Sequence, residues 1–193
     1  MSLRMSASQT VGPFFELGLS WLYRSDIGAE AKSGERLRIR GRVYDGDGLP
    51  VPDAVLEIWQ ADTQGRFATT PDGTVDAQAE FVGFGRVPVN AQGAFEVQTV
   101  KPGRVPARNA DQLQAPHLSI TVFMRGLLKP VHTRLYFPGD PANAEDPVLR
   151  SVPESRRGTL IAREAPGSRD GNENVLEWDV YIQGERETVF FSF

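Results

Sequence analysis

The chain has 193 residues, 40% of them hydrophobic and 24% charged, with a net charge of −4 and no cysteine. That is a globular balance for one domain, and it leaves neither a basic footprint for nucleic acid or an anionic membrane nor a thiol for a disulfide, a zinc thiolate site or a cysteine nucleophile. The only apolar run near the start, 14–22, is broken by Glu16, follows Pro13 and is too short to span a bilayer, so the reading is a cytoplasmic chain with no export signal and no membrane span.

Residues 1–9 are small and polar, an arm that orders only against something else. Pro13 pushes the residue before it toward extended geometry, and the partly apolar segment from Phe14 onward is expected to be extended as well. Residues 21–34 read as a loop with one helical turn. From Leu37 the apolar period becomes two. Leu37, Ile39, Gly41 and Val43 alternate with Arg36, Arg38, Arg40 and Arg42, which places one strand face on a core and a row of solvated arginines on the other. Further strands are expected at 54–60, 94–100, 117–124, 131–136, 159–163, 175–182 and 189–193, separated by Gly and Pro turns. Helix is limited to a short piece at 146–150 with Pro147 in its first position. The segment 65–87, punctuated by Pro71-Asp72-Gly73 and Gly83-Phe84-Gly85, reads as a long excursion outside the sheets, where function is often carried. The fold class is all-β: a single β-sandwich domain over 1–193, of roughly eight strands, with long loops and an extended N-terminal arm.

The most informative stretch is 41–62, Gly-Arg-Val-Tyr-Asp-Gly-Asp-Gly-Leu-Pro-Val-Pro-Asp-Ala-Val-Leu-Glu-Ile-Trp-Gln-Ala-Asp. Glycines in Asp45-Gly46-Asp47-Gly48 supply the positive φ of a tight connection, and Val51, Val55 and Ile58 resume apolar spacing, so a hairpin is expected. There follow Ala61-Asp62-Thr63-Gln64-Gly65-Arg66-Phe67, then Val100-Lys101-Pro102-Gly103, then Ala115-Pro116-His117-Leu118-Ser119. With Ser8-Gln9-Thr10-Val11-Gly12-Pro13 near the start and Thr188-Val189-Phe190-Phe191-Ser192-Phe193 at the end, this series resembles the intradiol aromatic-ring dioxygenases over nearly the whole chain.

Ring-cleaving members of that family hold a ferric ion with two tyrosines and two histidines. At the four matching positions this chain carries Phe67, Val105, His117 and Ser119. Phenylalanine lacks the oxygen, valine lacks ring and oxygen, and a serine hydroxyl is a poor substitute for imidazole on iron. His117, without its companions, reads as a core or interface histidine. No nucleophile elbow, Cys-His pair or His-Glu-x-x-His replaces the lost set. The resemblance therefore implies a metal-free chain of the family's two-chain class, with no catalytic residue of its own. In that class Fe(III) is bound by a homologous β partner in an αβ hetero-oligomer, and the arm and loop region 1–36 of this chain packs on the partner. The implied reaction inserts both atoms of O2 into protocatechuate to give 3-carboxy-cis,cis-muconate, a step of the β-ketoadipate route. By matched position Thr10, Gly12, Pro13 and Arg125 line the partner's pocket, and a guanidinium there suits the substrate carboxylate. Gln114 stands where the iron-bearing chain is expected to have an arginine, and Arg134 supports its strand or an interface. Two other readings stay open: a non-enzymatic β-sandwich that binds a ligand with its loops, and a single-chain dioxygenase with ligands relocated to His132 and tyrosines such as Tyr44 or Tyr136.

Overall fold

The computed structural model describes residues 14–69, 74, 79–107, 111–168 and 174–192, and it begins with a four-residue helix, α1 (Phe14–Leu17), and a 3₁₀ turn (Ser20–Leu22). An extended segment was expected there. Proline restricts the residue before it and leaves those after it free to turn. Leu17 and Trp21 remain 70% and 77% exposed, so this turn is not folded onto the chain's own core. The next residues are: Arg24 bridges to Arg86, Asp26 to Gln98, and Ile27 is fully buried.

The alternation from Leu37 forms β1 (Arg36–Tyr44), with Leu37, Ile39 and Val43 buried. Its arginines are solvated and locally compensated: Arg38 lies 3.4 Å from Glu96 and Arg40 2.8 Å from Glu177. The remaining strands are β2 (Val55–Trp59), β3 (Phe84–Pro88), β4 (Ala94–Val100), β5 (Val105–Pro106), β6 (Leu113–Gln114), β7 (His117–Phe123), β8 (Val131–Tyr136), β9 (Arg163–Glu164), β10 (Asn174–Glu177) and β11 (Val180–Tyr181). Two short helices, α2 (Pro147–Ser151) and α3 (Glu154–Arg157), follow β8.

One sheet centres on β1, which pairs antiparallel with β4 along one edge and parallel with β10 and β11 along the other; β9 extends it beyond β10. The second sheet is antiparallel throughout, in the order β3-β2-β7-β8, and β5-β6 form a separate ribbon. Between the two sheets lies one core, with Leu37, Ile39, Val97 and Leu176 from the first facing Leu56, Ile58, Val87, Ile120 and Leu135 from the second. Each such aliphatic side chain stabilises the fold by about 1.5–3 kcal/mol when fully buried. A polar tie joins the layers: buried Gln60, just after β2, donates to Val100 O at 3.0 Å and accepts from Thr99 Oγ1 at 2.5 Å.

The expected hairpin at 41–62 is a turn closed by one antiparallel bridge, Tyr44 to Pro50, with no ladder between β1 and β2. Asp45 Oδ1 accepts from Asp47 N and Leu49 N, Gly48 takes φ +76°, and Val51 N reaches Val43 O at 2.9 Å. Pro52 then has no N–H to continue a ladder, and β2 crosses to the other sheet. The excursion at 65–87 ends in β3, which the Gly-Phe-Gly punctuation concealed; Gly85 is needed because a Cβ there would come within 2.3 Å of Ile27. The stretch 159–163 is a 3₁₀ turn (Gly158–Leu160) leading into β9, since Gly158 continues the helical geometry of α3. The strand at 175–182 is split, because Trp178 turns its indole into the core and donates from Nε1 to Thr159 O at 3.0 Å. Gly41 accommodates that break: a Cβ there would come within 1.7 Å of Trp178 O. Among the described residues of the expected strand at 189–193, only Phe191 pairs, in a single bridge to His132. The short helix at 146–150 forms as α2, with Asp146 as its cap and Pro147 in its first turn.

Candidate functional site

Strand alternation decides which side chains leave the core of the β3-β2-β7-β8 sheet. Leu118, Ile120 and Val122 face inward, so His117, Ser119, Thr121 and Phe123 face outward, and on β8 the outward set is His132, Arg134 and Tyr136. Register places Ser119 between Trp59 and Arg134, and His117 beside Tyr136. The β5-β6 ribbon brings in Val105, paired with Gln114. Gln114 in turn accepts from Arg134 Nη1 at 2.6 Å and donates to Pro106 O at 2.9 Å. Three of the four family positions, Val105, His117 and Ser119, are thus gathered around Arg134 and Gln114. Phe67 enters from the loop after β2 and, 45% exposed, lines a cavity of about 530 Å³ with Lys32, Arg66 and Phe81.

His117 is buried, and burial first, then the Arg134 charge, lowers its pKa to about 4. Its Nδ1 lies 2.8 Å from Ala115 O. A carbonyl only accepts, so Nδ1 carries a proton, and the lowered pKa leaves the ring neutral near pH 7. Tyr136 is buried as well; its hydroxyl donates to Asp146 Oδ1 at 3.2 Å, and burial holds its pKa above the usual phenol value. Asp146 closes this layer. Its carboxylate also accepts from Val148 N, Leu149 N and Ala115 N, so one residue caps α2 and anchors the approach to β7.

This set does not fit a ferric ion. One neutral imidazole stands among a valine, a serine and a phenol kept protonated, and a guanidinium already occupies their midst. The relocated-ligand reading meets the same obstacle: Tyr136 is engaged with Asp146, and Tyr44 stacks on Tyr181 at 4.9 Å in the opposite sheet. Cations lining the hollows are paired, Lys32 with Glu80, Arg66 with Asp62, Lys101 with Asp140 and Arg104 with Glu145.

Arg125 sits in the turn that closes β7. Its side chain is 73% exposed and its Nε lies 3.2 Å from Asp53 Oδ2, so it combines an ion pair with access to solvent. Asp53 belongs to the crossover between the two sheets, a partner that sequence spacing does not disclose. Thr10, Gly12 and Pro13 lie outside the described residues. Sequence reasoning missed the bond from Arg134 to Gln114 among Val105, His117 and Ser119, and missed Arg86 altogether; neither carries a local signal beyond its outward position on a strand.

The all-β sandwich has clear relatives. Residues 22–184 match the family described as Dioxygenase, and the chain belongs to that dioxygenase family. It is 43% identical to the protocatechuate 3,4-dioxygenase alpha chain of Burkholderia cepacia, over 98% of both chains. It is 34% identical to the beta chain of the same name and organism, over 80% of this chain and 67% of that one. The solved structure of 3-chlorocatechol 1,2-dioxygenase from Rhodococcus opacus 1CP shares the fold, with a TM-score of 0.65 at 19% identity, over 94% of this chain and 69% of the other.

Proposed function

We propose that this chain is the iron-free subunit of a two-chain intradiol dioxygenase that acts on protocatechuate, in the cytoplasm and within the β-ketoadipate route. The observation that carries the reading is the end-to-end similarity to an alpha chain, 43% identical over 98% of this chain, in a protein whose own four ligand positions are Phe67, Val105, His117 and Ser119. A homologous beta chain then holds Fe(III), which activates the bound catecholate. The reaction breaks the bond between the two hydroxylated carbons and places one oxygen atom of O2 on each, giving 3-carboxy-cis,cis-muconate.

This chain's contribution is to shape and charge the partner's cleft. Arg125 supplies a guanidinium for the substrate carboxylate and favours protocatechuate over plain catechol. Thr10 offers a hydroxyl or amide, and Gly12-Pro13 offers small bulk on a constrained backbone. Exposed Leu17 and Trp21 are apolar surface that a partner covers. The test is to express the chain alone and with its candidate beta partner. Alone it should be colourless, inactive and self-associating. Together the pair should be coloured by tyrosinate-to-iron charge transfer and active, with about one iron per pair. Iron and ring cleavage in the lone chain would overturn the reading.

A further inference from the structure

The two parts of this chain assigned to the partner's pocket, the arm through Thr10–Pro13 and the turn bearing Arg125, are far apart in sequence. The helix that follows the first and the strand that leads into the second meet at one buried arginine. Arg86 lies on the outward face of β3 and is 3% exposed. Its Nη1 donates to Glu57 Oε1 on the neighbouring strand β2, and its Nη2 donates to the carbonyl of Phe15 in α1, 71 residues away in sequence. Its guanidinium carbon stands 5.7 Å from the centre of the Phe123 ring, and that ring stacks on Phe15 at 6.2 Å with the planes 27° apart. Phe123 ends β7 just before Met124 and Arg125. The backbone of Arg86 also holds the far side of the arm, since its carbonyl accepts from Arg24 N at 2.9 Å.

Burying an arginine costs several kcal/mol unless its hydrogen bonds and charge are met, so a core requirement alone would select an apolar residue here. What the guanidinium adds is direction: a planar fork that engages a carboxylate and a carbonyl at set angles while its face lies on an aromatic ring. We propose that Arg86 is a positioning residue for the ring-cleavage reaction. It locks the N-terminal arm and the Arg125 turn into one unit, so that both enter the partner's cleft at a defined spacing. This inference rests on the functional reading above.

The experiment uses the assembled complex and compares wild type, Arg86→Met, Arg86→Lys, a deletion of residues 1–17, which removes the arm together with Phe15, and the deletion combined with Arg86→Met. Arg86→Met should raise KM for protocatechuate by about tenfold with kcat and iron content nearly unchanged, and Arg86→Lys should restore part of the loss. In the arm-deleted complex, Arg86→Met should raise KM no further, because the element it positions is gone. If Arg86→Met does not assemble, Glu57→Gln, which removes the charge that orients the fork, takes its place in the same comparison. A wild-type KM in Arg86→Met with only a lower melting temperature would overturn the inference and leave the functional reading intact. So would KM effects of deletion and substitution that simply multiply. A wild-type KM in the arm-deleted complex would instead sink the assigned role of the arm, and the inference with it.

Discussion

Arg134 Nη1 donates to Gln114 Oε1 at 2.6 Å, from β8 to the β5-β6 ribbon, beside Val105, His117 and Ser119. A fixed cation and its amide acceptor thus stand among these three side chains. The neighbouring histidine feels that charge, which has a consequence for stability against pH.

His117 has a folded pKa lowered to about 4 from a usual 6.5, by burial and by Arg134. The unfolded chain therefore binds a proton that the folded chain refuses. Stability from this residue is full above pH 6.5 and is lost progressively as the pH falls toward 4, on the order of 3 kcal/mol in all. Melting curves of the complex across this range should show a smaller acid loss in His117→Gln, and also in Arg134→Gln, which lets the histidine pKa rise. Identical acid profiles for all three proteins would contradict the neutral buried imidazole.

Asp146 accepts four hydrogen bonds from three separate segments, two of them at the start of α2. Asp146→Ala strands the buried donors of Ala115 and Tyr136 together with the helix cap, and should destabilise by about 3–5 kcal/mol, with a melting temperature lower by roughly 10 °C. Asp146→Asn keeps one acceptor oxygen and should lose about half as much. A melting temperature unmoved by the alanine variant would show that these bonds are not made.

Arg125 is largely exposed, and its pairing with Asp53 does not bury its charge. In the assembled complex, Arg125→Ala should raise KM for protocatechuate by about 5- to 20-fold at low salt while iron content stays the same, and the difference should shrink as ionic strength increases. Steady-state kinetics at two salt concentrations decide it. An unchanged KM at both would remove Arg125 from substrate binding and leave it as an ion pair.

Much of this was legible before any coordinates. The period of two in 36–44, the cap and proline at 146–147, and the order of glycine-punctuated landmarks are local patterns, and they led to the strands, the helix and the family. The errors have a common character. The connection at 45–51 looked like a hairpin because its turn chemistry is that of one, yet the proline that follows sends β2 to the other sheet. The stretch 175–182 looked like one strand because apolar residues recur along it around Glu177 and Asp179, yet the bulk of Trp178 breaks it.

From the sequence alone it was determined that Phe67, Val105 and Ser119 carry neither a phenol nor an imidazole, because the identity of a side chain caps what it can ligate wherever it lies. Turns, caps and strand faces were likewise determined there, since they depend on residues a few positions apart. Only the tertiary structure decided that Arg134 donates to Gln114, that Arg125 pairs with Asp53, and that Arg86 meets both Phe15 and Phe123. An arginine's reach and charge are the same in every sequence context. Which carboxylate, carbonyl or ring it meets is set by long-range sheet pairing, whose free energy is shared among many contacts and leaves no mark on any short stretch of the chain.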